Sequence, residues 1–244
     1  MKLIRSLITA TALLAACGAL QAQTFSTTTA LPATVPDPLD GCVTQAAPLN
    51  LTIPVSGITG PVSSLSVQIG LRAEGVGDVV IVLIAPGGAV SMPLLGRVGA
   101  NGSLSPGDFS ELSGTYRFVD PSAPGATSLW AAAAAAANAD VIAPGTYYTS
   151  EVGGTATSAG APTPLNATFA GLTPAQINGD WTLRVTDFCQ LDATSVQAPA
   201  ALTLTAAAAP TAVPTLGEGS LVLLVLGCGA VALRRLARTR QPTT

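Results

Sequence analysis

Four aspartates stand where they could act together. Asp78 lies between a Gly-rich turn and an apolar run, Asp120 closes "GTYRFVD", Asp187 closes "DWTLRVTD", and Asp192 follows in the next loop. Carboxylates gathered at strand ends, with loop carbonyls beside them, suit Ca²⁺, which takes about six to eight oxygen ligands. The same residues also suit turns, where an Asp side chain hydrogen-bonds its own backbone. The sequence has no D-x-D-x-D-G loop and no calcium-binding nonapeptide repeat. Calcium at Asp78, Asp120, Asp187 and Asp192 is therefore carried as the one metal candidate, and no other cofactor is expected. Histidine is absent, which removes imidazole as general base and as metal ligand. Without it no Ser-His-Asp or Cys-His site can form within the chain, and no G-x-S-x-G elbow is present. No catalytic residue is nominated, and the expectation is a protein that is not an enzyme.

The second chemistry belongs to cysteine. Of four Cys, Cys17 falls in the N-terminal apolar region and Cys228 in the C-terminal one, leaving Cys42 and Cys189 in the body. Residues 1–22 carry Lys2 and Arg5, then a short apolar stretch over 7–16, then small residues. That is the pattern of a secretory signal, too short for a spanning helix. Cleavage after Ala22 in "ALQA" leaves Gln23 first. An alternative takes "LAAC" as a lipobox, with Cys17 as the lipidated first residue. Either route exports the chain. In an oxidising compartment Cys42 and Cys189 are expected to form a disulfide, the other arrangement being two buried free thiols.

Charge is scarce and unevenly placed. Charged residues make up 9% of the chain and the net charge is −3, where soluble domains carry about 25% charged residues. Between residues 23 and 212 stand four Arg and twelve Asp or Glu, a local net charge of −8. Such a body without Lys lacks the basic patch that phosphate backbones require, so nucleic acid is not an expected partner.

Period-two alternation supplies the elements that would position these groups. In "LSVQIGLR", Leu65, Val67, Ile69 and Leu71 alternate with Ser66, Gln68, Gly70 and Arg72, the mark of a half-buried strand. The unbroken apolar run over 79–84 reads as a central strand covered on both faces, stopped by Pro86-Gly87-Gly88. "GTYRFVD" puts Tyr116 and Phe118 on one face, "DWTLRVTD" does so with Trp181, Leu183 and Val185, and "AALTLTA" adds a last strand. Strands at this spacing predict an all-β sandwich or jelly roll. The seven Ala at 131–137, after Ser128, predict a short helical turn, or else a low-complexity loop pinned by Trp130. Trp181 is expected in the core; Trp130, Trp181, Tyr147 and Tyr148 are also the residues that would line a glycan groove.

The order of these motifs resembles a known module. "VSSLSVQIGLRAEGVGDVVIVLIAPGGAVSMPLLGRVG", "DFSELSGTYRFVD", "IAPGTYY" and "INGDWTLRVTD" together are similar to the P domain, or Homo B module, of proprotein convertases and secreted bacterial proteases. The resemblance spans about residues 47–206. It implies a galactose-binding-like β-jelly-roll that bears no catalytic residue and assists the subtilisin-like protease beside it. In this chain only a signal and a leader precede the module, and Arg72-Ala73-Glu74 stands where the family often has a His-Thr pair. A serine endopeptidase label would be inherited from the neighbouring domain. An accessory or folding role toward a secreted subtilisin-like serine endopeptidase is the alternative function.

The C-terminus reads as a second address. After an Ala/Pro/Thr linker, residues 219–233 are uncharged, about 22 Å as a helix, against a hydrocarbon core of about 30 Å. Arg234, Arg235, Arg238 and Arg240 follow and act as a stop-transfer signal that holds the tail in the cytoplasm. Val213, Pro214, Thr215 and Leu216, with this span, resemble the IPTL-type sorting domains of Gram-negative bacteria, which implies an exosortase-type membrane enzyme as processing partner. A permanent transmembrane helix anchor is the other arrangement. The expected organisation is a signal peptide over 1–22, a flexible leader over 23–46, a β-jelly-roll domain over 47–206, a linker with the sorting motif over 207–218, and a hydrophobic helix with basic tail over 219–244. The expected route runs through the inner membrane to the cell surface. There the domain would meet a protein or glycan ligand in adhesion or matrix contact.

Overall fold

Alternating apolar residues on long strands build the molecule from two facing sheets. The structure, a computed structural model, describes residues 20–155 and 160–207. Residues 1–19 of the signal region, with Cys17, the sorting motif at Val213, Pro214, Thr215 and Leu216, and Arg234, Arg235, Arg238 and Arg240 lie outside the described residues. In chain order the strands are β1 (Leu20–Ser26), β2 (Ala33–Thr34), β3 (Leu49–Val55), β4 (Val62–Ala73), β5 (Val79–Ile84), β6 (Ser91–Gly96) and β7 (Glu111–Val119). Helix α1 (Leu129–Ala135), strands β8 (Val141–Ile142) and β9 (Thr146–Tyr148), helices α2 (Leu165–Phe169) and α3 (Pro174–Ile177), and strands β10 (Gly179–Asp187) and β11 (Thr194–Ala207) complete it.

One sheet runs β1-β11-β4-β7-β8, with β2 on β11 and β9 on β7; the other runs β3-β10-β5-β6. Pairing is antiparallel except where β8 and β9 join β7 in parallel. The architecture is a β-sandwich, as the alternation predicts. Its core is built from the residues with period two: Val67, Ile69 and Leu71 of β4, Tyr116 and Phe118 of β7, and Trp181, Leu183 and Val185 of β10 are all buried. The Trp181 indole N–H donates to Ile177 O at 2.8 Å, and its ring lies 5.3 Å from that of Phe169. Satisfying that N–H is what lets so large a polar-tipped ring sit in the core.

Two features of the chain differ from the sequence reading. The run over 79–84 is indeed an inner strand, between β10 and β6. Only Val79, Ile81 and Leu83 with Val80 are fully buried, while Val82 and Ile84 are half-buried. The other correction concerns the leader. Residues 23–26 of the leader, together with residues 20–22 of the signal region, form β1, paired with β11 from Leu20↔Ala207 to Ser26↔Ala201. Chain continuity then carries it across to the second sheet, where Thr28 N–H donates to Thr52 O of β3 and Thr52 N–H to Thr29 Oγ1. The physical reason is that β11 would otherwise be an open sheet edge with unpaired backbone groups. β1 itself buries little, so hydrophobic period gave no sign of it. The Thr/Ser/Phe content of "TFSTTT" was the available signal.

The Ala run forms α1, with Ser128 accepting a hydrogen bond from Ala131 N at 3.1 Å as its N-cap. Among the described residues no helix is long and apolar enough to cross a membrane.

Candidate functional site, an acidic cluster beside the disulfide

Cys42 and Cys189 form a disulfide, with Asp78 beside it. Asp192 touches Asp78 and Asp187 acts on it through charge, but the expected cation set of Asp78, Asp120, Asp187 and Asp192 does not come within reach of one ion. Asp78 precedes β5, Asp187 ends β10, and β5 and β10 are neighbours with Asp187 opposite Val79. Adjacent antiparallel strands thus bring the start of one and the end of the other together. Asp192 arrives from the β10–β11 loop. The bridge ties Cys189, two residues after Asp187, to the leader. A carboxylate oxygen of Asp78 and the two sulfurs lie within 4.8 Å of one another. Bridged sulfurs are not thiolates, so they add no soft ligands to the site.

Glycines make this approach feasible. A Cβ on Gly75 would come 2.9 Å from Asp78 Oδ2 and 3.5 Å from Asp192 Oδ2, so both carboxylates converge on the bare face of that residue. A Cβ on Gly77 would run into the backbone of Pro106 and Asp108, which explains the Gly-Asp pair at the head of β5.

The electrostatics of the cluster are severe. Asp78 is 1% exposed and Asp187 0% exposed. Burial pushes the Asp78 carboxyl up to about 8, helped by its carboxyl–carboxyl contact with Asp192 and the charges of Asp192 and Asp187. The opposing cation is Arg97, yet its guanidinium is already committed. It donates to Ser103 O and Ser105 O and lies 4.7 Å over the Phe188 ring. Burial also raises Asp187, to about 6, against the pull of the Thr194 hydroxyl and Cys189 N–H; Asp37 and Asp192 add repulsion. Cys189 N–H donates to Asp187 Oδ1 at 3.2 Å, while Thr194 Oγ1 stops short of hydrogen-bond geometry. Asp78 Oδ1 and Asp187 Oδ2 are both buried with no hydrogen-bond partner.

A comparison of the chain with family models and with curated proteins gives no match. The chemistry of the cluster is therefore drawn from its own geometry.

Asp120 does not belong to it. Its carboxylate accepts from Ser122 Oγ at 2.6 Å, Ser122 N at 3.0 Å and Asn166 N at 2.9 Å. Burial opposes its anion, but these three donors prevail and hold the carboxyl below its ordinary range. It is a turn residue that also ties β7 to α2. Three charged residues that sequence reading did not single out do join the site. Asp37 Oδ2 accepts from Leu191 N at 3.2 Å, Glu74 Oε2 accepts from Ala193 N at 3.3 Å, and the charge of Arg97 acts on Asp78. Asp37 had a legible signal, five residues before a cysteine expected to bridge to Cys189. Arg97 had none, because its place comes from a turn at φ 46°.

The aromatic residues do not form an open groove. Trp181 and Tyr147 are buried, and the Tyr147 hydroxyl donates to Ala143 O at 2.6 Å. Trp130 and Tyr148 are half-buried.

Proposed function

We propose that this chain is an exported, non-catalytic β module, sorted to the cell surface by its C-terminal signal and acting there through adhesion, matrix or protein contact. The observation that carries the reading is the pairing of Leu20 with Ala207. The two ends of the sandwich leave side by side, one toward the signal region and the other toward the linker with the sorting motif. A precursor held at both ends by one membrane would suffer no strain across the domain. Cleavage after Ala22 would leave residues 23–26 on β11, where backbone hydrogen bonds keep the new N-terminus tied down.

The sandwich is read more finely as a galactose-binding-like jelly roll of the P-domain type. The disulfide fits an oxidising compartment. The processing partner would be an exosortase-type membrane enzyme acting near Val213, Pro214, Thr215 and Leu216, with the inner membrane as a temporary hold. The surface partner would be a protein or a glycan.

Protease shaving of intact cells tests the reading. Cells carrying the whole chain should lose the domain to external protease. Cells carrying a chain truncated before Val213 should release it or retain it in the periplasm. Equal surface exposure of the two chains would defeat the sorting assignment. Loss of a secreted subtilisin-like protease's activity on deletion of this gene would instead favour an accessory role.

A further inference from the structure

Away from the acidic cluster, the larger sheet carries a cavity of about 190 Å³ on the side turned from the core. Ser64 and Ser66 of β4, Arg117 of β7, Thr205 of β11, and Asp120 and Asn166 line it. We propose that this cavity binds one sugar unit bearing a carboxylate, of the uronic acid class. The buried Ser66 hydroxyl carries the argument. Arg117 Nε and Nη2 both donate to Ser66 Oγ, at 3.3 and 3.1 Å, which fills the lone pairs that a hydroxyl has. Its one proton is left to donate, and among the described residues nothing accepts it. A buried donor without an acceptor costs stability. Asn166 Oδ1 accepts from Leu65 N at 3.0 Å, which fixes the amide and leaves Nδ2 with its N–H groups unspent. Arg117 Nη1 is also without a partner among the described residues.

These unspent donors select the ligand. A guanidinium with a neighbouring hydroxyl and amide suits a planar carboxylate. Asp120 stays charged, since its donors hold the carboxyl below the ordinary range, and so opposes a doubly charged phosphate more than a monoanion. Ser122 Oγ, Ser122 N and Asn166 N occupy three of its lone-pair sites, which leaves about one for a ligand hydroxyl. The half-buried Ser64 and Thr205 hydroxyls are unpaired among the described residues and give further partners for a polyol. The volume falls below the roughly 300–1,000 Å³ of pockets for larger ligands, which fits a single ring. The inference names a ligand for the surface module proposed above and rests on that reading for its setting. Its test uses purified protein, so the sorting assignment and this site can fail separately.

The test is a titration of the full chain with D-glucuronate, followed by the amide NMR signals of Leu65, Ser66, Arg117 and Asn166. Ordinary binding efficiency for a ligand of that size gives a Kd of about 1 mM. D-glucose, which lacks the carboxylate, should bind about ten-fold more weakly or worse. N-acetylglycine, a carboxylate without ring hydroxyls, and inorganic phosphate should also bind more weakly. Arg117→Gln should weaken glucuronate about ten-fold or more while keeping the parent Tm, because Arg117 is exposed. Ser66→Ala should weaken it as well, and Arg72→Gln, in a separate cavity, should bind as the parent does. Amide signals that stay still at about twenty times the expected Kd overturn the inference. So does glucose binding as tightly as glucuronate, or an affinity unchanged in Arg117→Gln. Tighter binding of N-acetylglycine or of phosphate would overturn the sugar assignment.

Discussion

Replacing both Cys42 and Cys189 by Ala should cost this domain a large share of its stability. The two residues are 147 apart in sequence, so the bridge closes most of the described chain into one loop. The chain-entropy relation for a loop of that length gives about 5 kcal/mol at 25 °C. Domains are stable by only about 5–15 kcal/mol, so the variant should sit near the edge of folding. For a domain of this size the loss corresponds to a fall in Tm of about 10–20 °C. The assay is urea unfolding of the parent and the double variant, followed by tryptophan fluorescence. Trp181 is buried beside Phe169 and reports the core directly. A lower midpoint should come with a larger m-value, because an unfolded chain without the bridge exposes more surface. A double variant that unfolds within about 1 kcal/mol of the parent, with unchanged m-value, would refute the entropic reasoning.

Three further outcomes follow from the geometry. In EDTA, stability should be highest near pH 4 and fall as pH rises, because the folded states of Asp78 and Asp187 hold protons that the unfolded chain releases. The loss should run through about pH 6 and about pH 8, total on the order of a few kcal/mol, and Asp78→Asn should flatten its upper part; a pH series of melts checks it. Trp181→Ala should cost about 3–5 kcal/mol by emptying a wholly buried site and orphaning Ile177 O, seen as a lower urea midpoint. Deleting residues 20–26 should move the free edge of the sheet from the short β1 to the longer β11, so light scattering should detect more association than in the parent.

The sandwich was legible in the sequence because its strands carry one buried face each. Val67, Ile69 and Leu71, or Trp181, Leu183 and Val185, repeat every second residue and point inward. β1 escaped that reading, since its contribution is a row of backbone hydrogen bonds and its side chains are mostly exposed. The acidic site was half legible. Asp78, Asp187 and Asp192 shared a signature with Asp120, an Asp at the end of an apolar run or in a loop. Ser122, two residues on, is a local mark of Asp120 as a turn residue, but its donor from Asn166 and the bare oxygens of Asp78 and Asp187 have no local sign. What separates them is strand order: β5 beside β10 unites Asp78 with Asp187, while β7 lies in the opposite sheet. Sheet pairing is long-range information that a single sequence expresses weakly.

The most direct test of the account is the intact mass of the protein recovered from the cell surface. The mass should match a chain that begins at Gln23, ends within residues 213–216, and lacks two hydrogens for the Cys42–Cys189 bridge. A mass that retains Arg234, Arg235, Arg238 and Arg240, or that begins at a lipid-modified Cys17, would contradict it.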